Sequence, residues 1–80
     1  MPRYFFDVSS EQALRDEDGE DLADHDTARD VAIRIAAELL PAHVRQLART
    51  GRVAVTVRDE QGAVVHELEC RLTTRLPGAD

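Results

Sequence analysis

Lysine and tryptophan are absent from these 80 residues, so all ten cationic side chains are arginines. Arginine presents a planar fork that suits bidentate contacts to carboxylate or phosphate, which a lysine ammonium does not match. One cysteine, Cys70, excludes an internal disulfide and fits a reducing compartment, with the cytoplasm as the expected location. Only three aromatic residues occur, and Tyr4, Phe5 and Phe6 form a single N-terminal cluster. No apolar run approaches the roughly 20 residues of a membrane span. The N-terminus also lacks the apolar core of a signal peptide.

What is present points to one globular domain. The chain is 42% hydrophobic and 32% charged, outside the disordered range of composition. A chain this short builds a limited core, so added stabilisation by self-association is expected. Net charge is −6, and it is unevenly placed. Residues 7–30 hold ten carboxylates against Arg15 and Arg29, whereas residues 31–80 are close to neutral. Such an acidic chain repels phosphate backbones, which argues against nonspecific nucleic-acid binding.

The segment Thr27 to Arg49 organises the rest. Ala28, Val31, Ala32, Ile35, Ala36 and Leu39 recur at helical spacing and predict one apolar face. Thr27 is the expected N-cap, with Asp30 completing a capping box, and Asp30 with Arg34 is an expected i,i+4 pair. Pro41 removes a backbone donor and predicts a stop or kink near Leu40. A further turn or two through Val44 and Leu47 then closes at Gly51.

Short strands flank this helix. Residues 3–8 place Tyr4, Phe6 and Val8 on one face and Arg3, Phe5 and Asp7 on the other. Phe5 is therefore expected to be half-exposed or covered by a partner. A short strand is expected around Ala13 to Asp16, and Glu20 to Ala23 can pair briefly. Leu14-Arg15-Asp16-Glu17-Asp18-Gly19 is echoed by Val57-Arg58-Asp59-Glu60-Gln61-Gly62, which predicts two similar chain reversals. Val53, Val55 and Val57 alternate with Ala54, Thr56 and Arg58. After the Gln61-Gly62 turn, Val64, His66, Leu68, Cys70 and Leu72 are expected inward, with Val65, Glu67, Glu69, Arg71 and Thr73 outward. The expected class is α+β: a ββαββ antiparallel sheet with one main helix, kinked or broken near Pro41, packed on one face. Residues 1–76 form the domain and 77–80 a loose tail.

Candidate chemistry is sparse. The acidic run from Asp16 to Asp26 fails the calcium-loop pattern, because Gly19 stands fourth from Asp16 rather than sixth. His25 between Asp24 and Asp26 has no second His or Cys at zinc-like spacing. His66 and Cys70 share a strand face; Cys70 reads as a small core hydrophobe and His66 as a core or rim histidine. Ser9 and Ser10 sit in no nucleophile motif, and no glycine loop cradles phosphate. No catalytic, cofactor-binding or metal residue is assigned. The expected interaction surface comprises Phe5 and Val65 on the outer sheet face, with Arg45 and Arg49 along the helical region.

The opening Met1-Pro2-Arg3-Tyr4-Phe5-Phe6-Asp7-Val8, the Asp16-Glu17-Asp18-Gly19 turn, and Asp26 with Ala28-Arg29 and Ala32 resemble one group of small bacterial proteins. That group is a domain of unknown function, and the resemblance spans nearly the whole chain. It implies a short cytoplasmic protein and transfers no catalytic residues. A second resemblance, at the level of fold, is to the N-terminal domain of HicB-type antitoxins. Here Asp21-Leu22 stands near the position of their Pro-Asp-Leu-Pro-Gly segment. The leading expectation is a non-enzymatic protein-interaction module that self-associates as a dimer. The alternative is an antitoxin-like nucleic-acid-associated regulator using the helix-region arginines.

Overall fold

The computed structural model describes residues 1–78. Its elements run β1 (Arg3–Ser9), β2 (Ala13–Leu14), β3 (Glu20–Asp21), α1 (His25–Leu39), a 3-10 turn (Leu40–His43), α2 (Val44–Thr50), β4 (Arg52–Arg58) and β5 (Val64–Arg71). The strands form one antiparallel sheet in the order β2-β1-β4-β5, with β3 also pairing with β1. The strict alternation of β4 sets the inner face: Val53, Val55 and Val57 are each at most 1% exposed. Tyr4 and Phe6 of β1 join them, and α1 covers this face with Ala28, Val31, Ala32 and Ala36. Three of those four are alanines, which let the helix backbone sit close to the valine ridge. The α+β class and the broken helix follow the pattern read from the residues.

Helix α1 begins earlier than Thr27. Asp24 is the N-cap, and its Oδ1 accepts from Thr27 N at 2.8 Å and from Thr27 Oγ1 at 2.7 Å. Both residues are competent caps, but a carboxylate at the positive end of the helix dipole outcompetes a hydroxyl. The expected pair of Asp30 with Arg34 is replaced by a contact with its neighbour Arg29, at 3.6 Å. Pro41 lies in the 3-10 turn, where His43 Nδ1 donates to the Leu39 carbonyl at 2.9 Å. Gly51, with φ 72°, then closes α2.

The acidic turn is not a chain reversal. Leu14 lies opposite Val8 and Glu20 opposite Tyr4, so β2 and β3 run the same way along β1. They behave as one edge strand that advances six residues against four of β1. The surplus residues loop out around Asp16 to Gly19 as a bulge. The reversal instead occurs at Ser10 to Gln12, where Ser10 N donates to Gln12 O at 3.0 Å. At the second echo, the chain does reverse: Asp59 Oδ1 accepts from Gln61 N and Ala63 N, both at 2.9 Å.

A register shift between Val57 and Arg58 corrects one further expectation. His66 faces Val57 and Val64 faces Arg58, leaving Val65 as the extra residue of a second bulge. Val65 therefore packs on the core with Leu68 and Cys70, while Val64 is 53% exposed.

The described residues extend over 53 × 22 × 20 Å, with a radius of gyration of 14.6 Å. A compact 80-residue domain would have about 12 Å. Residues 71–78, which continue from β5, are all exposed. Ala79 and Asp80, the end of the expected tail, lie outside the described residues.

Candidate interaction site

On the face of the sheet opposite α1, β1 and β4 bring Phe5, Asp7 and Arg58 together. Arg58 donates to Asp7 through Nε at 2.6 Å and Nη2 at 3.1 Å, and Nη2 also donates to the Asp16 carbonyl at 3.1 Å. The Arg58 guanidinium lies 5.0 Å from the centroid of the Phe5 ring. Asp16 ties the bulge to β1 from both ends. Its Oδ2 accepts from Phe6 N at 3.0 Å, and its own N–H donates to Asp7 Oδ1 at 2.9 Å. Its other oxygen holds Asp18 N and Gly19 N.

The electrostatics follow from these partners. The hydrogen bonds from Arg58 hold the Asp7 carboxyl below its ordinary value, against the opposing effect of burial. For Asp16 burial pushes upward, but the N–H donors of Phe6, Gly19 and Asp18 together outweigh it, and the carboxyl is lowered. Asp7 in turn raises Arg58. Beside this knot lies an open cavity of about 420 Å³ between the bulge and the β4–β5 turn, lined by Arg15, Glu17, Arg58, Asp59 and Glu60 among others. Asp59 is committed to its own turn, and Glu60 accepts from Arg3 N at 2.9 Å. No cysteine, histidine or serine lines the cavity. Among the described residues, no three His, Cys, Asp or Glu side chains gather around a common metal position.

The four residues expected to form an interaction surface are not brought together. Phe5 is half-buried, but its cover is its own chain: Arg58 above, and Gly19 so close that a Cβ there would lie 2.9 Å from Phe5 Cε1. Val65 faces the helix layer. Arg45 is exposed on α2, and Arg49 pairs with Glu11 at 2.8 Å. His66 sits at the rim, where Nε2 donates to the His25 carbonyl at 3.0 Å. The His25 ring stands edge-on between Tyr4 and His66, at 5.7 and 6.4 Å. Cys70 is half-buried and packs against the core.

The two sheet edges differ. The β2/β3 edge is short and broken by the Asp16 bulge, a common way to block pairing with another chain. The β5 edge runs for eight residues with no strand beside it among the described residues. Leu72 N donates to Gly51 O at 2.8 Å, so Leu72, Cys70, Leu68 and His66 turn their backbone groups toward β4. Those of Glu67, Glu69 and Arg71 therefore point away from the sheet. Glu69 binds both Arg71 and Arg52, the latter at 3.0 Å. Arg71 and then Arg52 hold its carboxyl below its ordinary value. Val64, Leu72 and Leu76 are 53%, 47% and 80% exposed at the two ends of this edge. The sequence signal for this edge was the unbroken alternation from Val64 to Thr73.

No helix among the described residues is long and apolar enough to cross a membrane. Searches of the curated proteins and of the solved structures find no match to the chain. The family model described as Domain of unknown function (DUF6894) matches residues 3–71, from the start of β1 to the end of β5. The chain belongs to that family.

Proposed function

We propose that this protein is a non-enzymatic interaction module of the cytoplasm that self-associates, and that β5 is its working edge. The observation that carries this reading is the contrast between the two edges. One is interrupted by a bulge, while the other is an eight-residue strand whose Glu67, Glu69 and Arg71 backbone groups point outward, with exposed Val64, Leu72 and Leu76 at its ends. An open edge gains a ladder of hydrogen bonds when it pairs, and adjacent apolar side chains add burial. An antitoxin-like regulator has less support. Among the helix-region arginines, Arg29, Arg49 and Arg52 already meet carboxylates of the same chain.

Sedimentation equilibrium tests the reading with two proteins, wild type and Glu67→Pro. The Glu67 N–H points away from β4, so proline there spares the internal ladder while removing an edge donor. The expected result is twice the 8.9 kDa chain mass for the wild type and a shift toward 8.9 kDa for the variant. A wild type that stays at 8.9 kDa overturns the reading.

A further inference from the structure

Self-association through β5 leaves open how two copies align, and the charges on the strand restrict the choice. We propose that two copies pair their β5 strands antiparallel about a two-fold axis at Cys70, so that Glu69 of each faces Arg71 of the other. This inference rests on the self-association proposed above and deepens it. A two-fold axis perpendicular to the sheet sets one residue opposite its own copy and every other residue opposite its mirror position. Centring on Leu68 sets Glu67 against Glu69. Centring on Glu69 or on Arg71 sets that charge against itself. Like charges directly opposite destabilise a sheet, and opposite charges stabilise it. Of these four registers, only the one at Cys70 alternates the signs. Each Glu69 then has Arg71 of its own chain beside it and Arg71 of the second copy across from it.

Three further features agree with that register. Glu69 and Arg71 both turn their backbone groups outward, as a hydrogen-bonded pair requires, while Cys70 turns its groups toward β4. Leu68 meets Leu72 of the second copy, covering a side chain that is 47% exposed in the single chain. The exposed Val64 and Leu76 are brought to the same ends of the paired strands. The α1 layers of both copies lie on one side of a continuous sheet, so Leu68 and Cys70 of both copies continue one inner face.

The geometry is testable at the axis. Residues opposite one another in a non-hydrogen-bonded antiparallel pair have Cα atoms about 4.5 Å apart. That lies at the near end of the range a disulfide spans, about 4.4–6.8 Å. Diamide is the probe. The two thiols lose two protons and two electrons to its diazene, which becomes a hydrazine, and an S–S bond joins the copies. The expected result is a disulfide-linked dimer from the wild type and none from Cys70→Ser, which still sediments as a dimer. A charge test runs in parallel. Arg71 is exposed, with 76% of its side chain open, so Arg71→Glu leaves the fold intact. Arg71→Glu and Glu69→Arg are each expected to sediment as monomers alone and as a dimer when mixed one to one. If the wild type is a dimer that diamide does not link, or that Arg71→Glu leaves intact, this register is overturned while self-association stands. If the wild type is a monomer, both fall.

Discussion

Asp16 Oδ2 accepts the backbone N–H of Phe6 at 3.0 Å, taking the place of a strand carbonyl where the edge loops away from β1. A side chain thus completes the ladder at the point where the chain leaves it. Removing that acceptor in Asp16→Ala leaves the Phe6 N–H and two turn donors without their partner. The expected cost is about 1–3 kcal/mol, the penalty of orphaning partly buried donors, read as a lower urea midpoint. Asp16→Asn, which keeps an acceptor oxygen, is expected to cost less.

Gly19 and Gly62 occupy matching places in the two echoed segments, with φ of 71° and 84°. Alanine at Gly62 meets nothing within 4 Å, so its cost is the left-handed backbone alone, roughly 1 kcal/mol. At Gly19 the new Cβ would also fall 2.9 Å from the Tyr4 carbonyl and from Phe5 Cε1. Urea unfolding of the two variants is expected to show Gly19→Ala as clearly the more damaging. Equal losses would mean that the bulge does not press on Phe5.

Asp7 and Asp16 both titrate below an unfolded carboxylate, which has a pKa of about 3.9. The folded chain therefore binds these protons less readily than the unfolded chain does. Their stabilisation is complete above the unfolded value and is lost as pH falls through the lower folded values. Urea midpoints measured from pH 7 downward are expected to drop below about pH 4, and Asp7→Asn is expected to flatten that drop.

Phe5 separates an internal role from a docking role. Because Arg58 and Gly19 cover it, Phe5→Leu is expected to lower the urea midpoint through lost stacking with Arg58. The same variant is expected to leave the sedimentation mass unchanged. A loss of dimer without a loss of stability would return Phe5 to the contact surface.

Much of this fold is legible in the residues, and the misreadings have specific causes. Val53, Val55 and Val57 alternate with Ala54, Thr56 and Arg58, which left one choice of inner face for β4. Pro41 and Gly51 act through backbone geometry alone, so both ends of the helix break were readable. Val64 and Val65 are both apolar, and alternation cannot say which of two adjacent valines a bulge will turn inward. Asp24 and Thr27 are each good caps by residue type, and the choice turned on the carboxylate at the positive end of the helix dipole, which takes both the N–H and the hydroxyl of Thr27. The knot of Asp7, Asp16 and Arg58 joins residues up to 51 positions apart, beyond the reach of any local pattern. The β5 edge was visible as a strand, but its isolation became visible only with the strand order.

Amide hydrogen exchange at β5, followed residue by residue across a dilution series, reads directly whether this edge pairs with a second copy. The N–H groups of Glu67, Glu69 and Arg71 point away from β4, so in a single chain they have only solvent to bond. Slow exchange is expected at these three positions in concentrated protein, becoming fast on dilution. The N–H groups of Leu68 and Cys70 stay protected throughout. Fast exchange at Glu67, Glu69 and Arg71 at every concentration would contradict that pairing.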